Sequence, residues 1–257
     1  VGDRLIFSSN VDAVIKKEKH MGNLTTQYID LENARIAYRE HGSGPTLLLL
    51  HGNSESKDIF AQYQLKHFSM FRTIAIDSRG HGESRSGDEE YSIEQCSNDV
   101  IDLCKAKGIT SAYVIGYSDG GNISLFLAQK APELFPKIVA ISPNYLVSGT
   151  TDGALRLFKG IIKFMTFAGR LGFNTKKFIA KMNLMMRDIG ITDDDLRSIR
   201  ADMKILYAER ELIKEEHIKQ IASLIPNASL DKVMGCHHMT ILNKREAIEI
   251  MQAYLLG

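Results

Sequence analysis

The chain of 257 residues has no tryptophan, five prolines and only three cysteines. Three is an odd number, and Cys96, Cys104 and Cys236 stand at no metal-ligand spacing. Neither a disulfide framework nor a metal site is therefore expected, and a reducing cytoplasmic setting fits. Net charge is scarce as well: 32 Lys and Arg stand against 31 Asp and Glu, leaving +1. That balance removes the electrostatic case for nucleic acid or an anionic membrane surface as a partner. The basic clusters Lys16-Lys17-Glu18-Lys19 and Lys176-Lys177 read as solvated faces. No apolar run approaches the ~18 residues of a membrane span, and Val1 to His20 is too charged for a signal peptide. What is present is ordinary for a soluble globular protein with a substantial core: 44% hydrophobic and 25% charged residues. The length allows one or two domains.

Residues 1–23 are weakly patterned and read as an N-terminal arm, with Met21 an alternative native start. From Leu24 a regular alternation begins. Thr25 to Leu31 and Arg35 to His41 alternate polar and apolar positions around Glu32-Asn33-Ala34, which predicts a β-hairpin. Six short apolar runs follow: Pro45–Leu50, Arg72–Asp77, Ala112–Ile115, Lys137–Ser142, Met203–Ala208 and Ser229–Met234. Such runs suit strands buried on both faces. Helical spacing separates them at Ile59–Phe68, Ile93–Lys107 (with Ser92 as N-cap), Asn122–Lys130, His217–Ile225 and Lys244–Leu255. Alternating strands and helices predict an α/β class with a mostly parallel sheet opened by an antiparallel hairpin. One segment breaks the rhythm. Residues 145–201 carry no strand signal, and Ala154–Ala168 and Lys176–Arg187 read as helices. This predicts a helical cap between two halves of a core, 24–144 and 202–257. Its Met and Phe side chains either pack on the core or line an apolar acyl pocket.

Gly116-Tyr117-Ser118-Asp119-Gly120 joins the strand Ala112–Ile115 to the helix that follows. A Gly-x-Ser-x-Gly turn between a strand and a helix holds its serine exposed on a strained backbone, with small neighbours because a Cβ would collide. Ser118 is the expected nucleophile. Such chemistry needs a base, a carboxylate that orients it, and N–H donors for the oxyanion. His238, in the loop before the last helix, is preferred as base over adjacent His237. Glu211, just past the strand Met203–Ala208, is preferred as acid over Glu209, while Glu215 and Glu216 suit the first turn of the next helix. The oxyanion donors are expected to be the backbone N–H groups of Asn53 and Asp119, with the Asp119 carboxylate capping its helix. In Asp77-Ser78-Arg79-Gly80-His81-Gly82-Glu83-Ser84, the glycines and short polar residues suit a tight turn, and His81 reads as structural. Asp99 reads as a network residue and Asp102 as a surface residue.

Together, His51-Gly52-Asn53, the Asp77–Ser84 turn, Gly116–Gly121 and the His238 loop resemble the α/β-hydrolase superfamily over about Leu24 to Leu256. Within it the chain looks like the small bacterial carboxylesterase and proline-iminopeptidase-like serine hydrolases. The resemblance implies an eight-stranded sheet with strand two antiparallel, a helical cap over the site, no cofactor and no metal. It implies a small-molecule ester as the partner and an acyl-enzyme intermediate; a homodimer is allowed. The chain departs from the family pattern twice. Ala208-Glu209-Arg210-Glu211 stands where Gly-x-x-Asp is usual, and His237-His238 where Gly-His is usual. A serine nucleophile argues against the superfamily's epoxide hydrolases and haloalkane dehalogenases, which attack with aspartate. The rival readings are C–C, thioester or aminoacyl hydrolysis by the same groups, or a non-catalytic ligand sensor.

Overall fold

A computed structural model describes residues 24–86 and 92–257. The N-terminal arm, with Met21 and the Lys16–Lys19 cluster, lies outside the described residues. The strands are β1 (Thr26–Leu31), β2 (Ala34–His41), β3 (Thr46–Leu50), β4 (Arg72–Ile76), β5 (Arg85–Ser86), β6 (Tyr113–Tyr117), β7 (Lys137–Ile141), β8 (Asp202–Arg210) and β9 (Ala228–His237). The helices are α1 (Ile93–Ala106), α2 (Asp119–Lys130), α3 (Asp152–Arg170), α4 (Lys176–Leu184), α5 (Asp193–Ser198), α6 (Glu215–Leu224) and α7 (Arg245–Leu256).

Eight strands run in the order β1-β2-β4-β3-β6-β7-β8-β9, and the two-residue β5 adds to β2. β2 is antiparallel to β1, β4 and β5, and every pairing from β4 to β9 is parallel. The unbroken leucine run of β3 has a direct cause. Leu48 and Leu50 enter the core on one face, with side chains of α1, α2 and α6, while Leu47 and Leu49 enter the core on the other, with α7. A strand covered on both sides has no polar face to alternate with.

Most elements lie within a few residues of their expected positions. α1 opens on a capping box in which Ser92 Oγ accepts from Gln95 N–H at 3.1 Å and Gln95 Oε1 accepts from Ser92 N–H at 2.6 Å. The expected helix Ile59–Phe68 is instead a 3₁₀ turn, Lys57–Phe60, followed by a π-helical turn, Tyr63–His67. Its polar anchors explain the change. Lys57 N–H is drawn to Asp77 Oδ1 at 2.7 Å, Gln64 Nε2 donates to Arg39 O at 3.0 Å, and Phe68 N–H closes on Tyr63 O at 2.8 Å.

Between β7 and β8 the chain forms helices joined by turns and no strand; an isolated bridge ties Thr150 to Ile213, just beyond β8. α3 packs on α4 through Ala154, Phe158 and Met182. α5, a short helix absent from the sequence reading, is set by a Thr192–Asp195 capping box. α4 ends at Leu184, short of Arg187. β8 and β9 run past their expected ends, to Arg210 and His237. Five neighbouring strands, β3, β6, β7, β8 and β9, thus deliver their carboxyl ends to one edge. In open α/β sheets that edge is where ligands bind.

Candidate active site

Ser118 sits between β6 and α2 at φ 55°, ψ −114°. A non-glycine residue there costs on the order of 1–3 kcal/mol and persists only where its surroundings enforce it. They do: Ser118 N–H donates to Ile141 O at 2.8 Å and Ser118 O accepts Asn122 N–H at 3.0 Å, opening α2. A Cβ on Gly116 would stand 2.1 Å from Gly120 O, and one on Gly120 would stand 2.1 Å from Leu50 O. Both positions of the Gly-x-Ser-x-Gly turn therefore admit only glycine.

His238 follows β9 directly, and its Nε2 lies 3.1 Å from Ser118 Oγ. Its Nδ1 lies 2.6 Å from Glu211 Oε2. Tyr117 braces the imidazole: its hydroxyl donates to His238 O at 3.0 Å and its ring packs 5.3 Å from the histidine ring. His237 is exposed, and it is His238 that meets Ser118.

Glu211 is the first residue after β8, and its carboxylate is fully engaged. Oε1 accepts the Ser142 hydroxyl and the Ala208 N–H (2.9 Å), while Oε2 accepts the Leu212 N–H (3.1 Å) and meets His238. Burial pushes the Glu211 carboxyl up, but hydrogen bonds from His238, Ser142 and Ala208 outweigh it and hold it below the usual carboxylate range. Glu209 points elsewhere, accepting Gly235 N–H at 2.8 Å. Glu215 pairs with Lys219 and Lys232 at 2.8 and 2.7 Å.

The loop after β3 lies against the same serine. Among the described residues no acceptor engages the backbone N–H of Asn53 or Asp119. His51 behind the loop is held as a neutral imidazole. Its Nε2 accepts Ser78 N–H at 3.0 Å, so the proton sits on Nδ1, which donates to Gly52 O at 2.7 Å. Burial lowers its pKa. Glu55 Oε2 accepts Gly52 N–H at 3.0 Å, and burial pushes its carboxyl up.

The expected helix cap by the Asp119 carboxylate is not made. Its oxygens instead accept side-chain amides, Asn53 Nδ2 from the loop after β3 at 2.9 Å and Asn122 Nδ2 at 3.4 Å. Asn53 Nδ2 also donates to Lys181 O in α4 at 2.7 Å, so one amide ties the β3 loop, the Ser118 turn and the helical insertion together.

His81 lies behind His51, rings 5.3 Å apart, with burial holding it down to about 3. Asp99 holds Arg79 through two bonds of 2.7 and 2.6 Å, and Asp102 is exposed beside Lys105. Asp77 accepts Lys57 Nζ at 2.8 Å and Glu83 N–H at 2.8 Å, fastening its turn.

Ser142 carries no distinctive mark of its contact with Glu211 in the sequence. Its φ of 52° and its place at the end of β7 aim its hydroxyl at Glu211. A Ser-Pro pair after a buried strand was the available signal, and it reads equally well as a plain turn.

A cleft over Ser118 has two sides. One, with about 630 Å³ of empty space open to solvent, is walled by Phe158, Ile161, Phe178, Met182, Met185 and Met239. The other has a polar floor of Asn122, Ser142, Asn144 and Thr150. Among the described residues no cluster of His, Cys, Asp or Glu could hold a metal ion, and no helix is long and apolar enough to cross a membrane.

Residues 45–165 match the family described as alpha/beta hydrolase fold. The 2-(acetamidomethylene)succinate hydrolase of Mesorhizobium japonicum is 32% identical over 113 residues, 44% of this chain and 41% of that protein. The serine hydrolase BPHL of Homo sapiens is 30% identical over 145 residues, 54% of this chain and 49% of that protein. The chain thus spans less than half the length of the curated relatives it matches. Among solved structures, carboxylesterase CesB (YbfK) from Bacillus subtilis superposes with a TM-score of 0.76 at 18% identity, covering 95% of this chain and 96% of that one. The mostly parallel sheet, the glycine-flanked Ser118 turn and the match over residues 45–165 give the chain the α/β-hydrolase fold.

Proposed function

We propose that the chain is a serine hydrolase acting on carboxylic esters, with Ser118 as nucleophile, His238 as general base and Glu211 as orienting acid. The observation that carries this reading is the continuous line from Ser118 Oγ to His238 Nε2 (3.1 Å) and from His238 Nδ1 to Glu211 Oε2 (2.6 Å). A carboxylate can only accept at Nδ1, so Nδ1 carries the proton and Nε2 is left as the lone pair facing the serine.

Ser118 attacks the acyl carbonyl as His238 Nε2 takes its proton, and Glu211 stabilises the imidazolium that forms. The backbone N–H groups of Asn53 and Asp119 receive the oxyanion. His238 then protonates the departing alkoxide, and in the second half activates water against the acyl-enzyme. The Phe and Met wall of the cleft beside Ser118 supports an ester with an apolar part. The relatives support hydrolysis more broadly than they support esters, since they include a 2-(acetamidomethylene)succinate hydrolase and a serine hydrolase beside a carboxylesterase.

The test is a panel of p-nitrophenyl esters of increasing acyl length, run beside a diketone, a thioester and an aminoacyl amide. Turnover of esters of medium acyl length, absent in Ser118→Ala, is expected. Turnover of another class with no ester hydrolysis would overturn the ester assignment, and turnover of none would favour a ligand sensor.

A further inference from the structure

α3 carries two apolar faces, and only one is used by the fold. Ala154 and Phe158 are buried against the rest of the insertion, with Ile161 and Ile162 packed beside them. On the far side Leu157, Phe164 and Phe167, continued by Leu171 and Phe173 in the following turn, are 56–67% exposed. At helical spacing Leu157, Phe164, Phe167 and Leu171 share an arc of about 80°, so they form one stripe rather than scattered residues. Isolated exposed hydrophobics need no explanation; a contiguous stripe of large ones marks a contact surface.

Charge says what the contact is with. Arg156, Lys159, Lys163 and Arg170 lie alongside the stripe and are exposed. Among the described residues none of the four is paired with a carboxylate. Residues 152–187 hold eight Lys and Arg and a single acid, Asp152, in a chain whose net charge is only +1. The near-neutral total therefore averages over a cationic segment, residues 152–187, and a net acidic remainder. A helix with an aromatic and aliphatic stripe flanked by Lys and Arg suits the boundary between anionic headgroups and acyl chains. Two copies meeting through this face would bring like charges together, which disfavours self-association.

We propose that the outer face of α3 docks on an anionic lipid surface, with Leu157, Phe164, Phe167 and Leu171 entering the acyl boundary and Arg156, Lys159, Lys163 and Arg170 meeting headgroups. The inner face of the same helix supplies Phe158 and Ile161 to the wall of the cleft, so docking sets the mouth of the cleft beside the lipid. The inference does not rest on ester hydrolysis, and its test reads no turnover.

The full chain is mixed with vesicles of phosphatidylcholine alone, or of phosphatidylcholine and phosphatidylglycerol in equal parts, and the bound fraction is measured by flotation at low and high salt. Binding to the phosphatidylglycerol vesicles is expected, weakened about tenfold or more by high salt. The pairs Phe164→Ser/Phe167→Ser and Lys159→Glu/Lys163→Glu are each expected to weaken it by about tenfold or more with unchanged melting temperature. The proposal is overturned by absence of binding, by equal binding to phosphatidylcholine alone, or by binding that neither pair of substitutions alters. It is also overturned if sedimentation shows self-association that the phenylalanine substitutions abolish while vesicles are not bound, since the face would then be a contact between copies.

Discussion

Ser142 donates its hydroxyl to Glu211 from a backbone held at φ 52°, one strand away from the carboxylate it serves. Ser118, at φ 55°, occupies the same left-handed region at the end of the adjoining strand. Two strained serines on neighbouring strand ends therefore face the two ends of the His238–Glu211 pair. Ser118 meets the imidazole and Ser142 holds the carboxylate.

Ser142→Ala tests the second of these contacts. A carboxylate stripped of a donor is more basic and holds the imidazolium proton more firmly, so the acid limb of the kcat/KM profile should move to higher pH. The plateau kcat should fall by about tenfold or less, as for loss of one hydrogen bond to a charged group. Ser142→Gly relieves the φ strain and also lacks the hydroxyl, so it should match the alanine variant. Recovery in glycine alone would assign the effect to the backbone.

Glu211→Gln keeps the shape but can donate to Nδ1, favouring the wrong imidazole tautomer. A kcat lower by about a thousandfold or more is expected, with an unchanged circular dichroism spectrum. Glu211→Asp draws the carboxylate back by one methylene and should also be impaired, since its four partners are placed for the longer chain. Near-normal turnover in the glutamine variant would remove Glu211 from the mechanism.

Asn53→Ala leaves the backbone N–H in place and removes the amide that joins Asp119 to Lys181 O. The β3 loop and α4 should loosen together, with kcat down by about tenfold and KM raised. In a cycle with Asp119→Ala, a coupling of about 0.5–3 kcal/mol in kcat/KM is expected because the two side chains share one bond. Additive effects would show that the bridge does not act through the pair.

Acid should unfold the protein through its histidines before its carboxylates. Burial holds His217 down to about 4 and His81 down to about 3, against about 6.5 in an unfolded chain. Between these values the unfolded state binds the extra protons, so stability is full above about pH 6.5 and falls as pH drops toward the folded values. Glu211, held below its ordinary range, adds a loss in the same direction at lower pH. His217 stacks on Tyr145 at 4.8 Å, and its Nε2 has no hydrogen-bond partner. His217→Phe should therefore keep the stack and flatten the fall in melting temperature from pH 6.5 to 4. An unchanged slope would exclude His217 as a contributor.

How far the fold could be read from residues depended on how local each signal was. Leu47 to Leu50 announced a strand covered on both faces, and Gly116 and Gly120 announced the close approach that the Leu50 and Gly120 carbonyls enforce. The placement of Glu211 and His238 at the same sheet edge as Ser118 follows from chain order, since each comes directly after the end of its strand. The contacts of Ser142 and of the Asn53 side chain do not, because their partners lie 69, 66 and 128 residues away and no local pattern encodes such distances. The π-helical turn at Tyr63–His67 was lost for a similar reason: its apolar spacing is helical, but buried polar bonds to β2 and β4 reset the winding. The cationic face of α3 was hidden by averaging, since whole-chain charge carries no position.

The most direct measurement of the central claim is intact-mass and peptide-level analysis of the folded chain after exposure to a fluorophosphonate. A single adduct is expected on the peptide carrying Ser118, absent in Ser118→Ala and formed far more slowly in Glu211→Gln. An unlabelled folded protein, or an adduct that persists in Ser118→Ala, would contradict it.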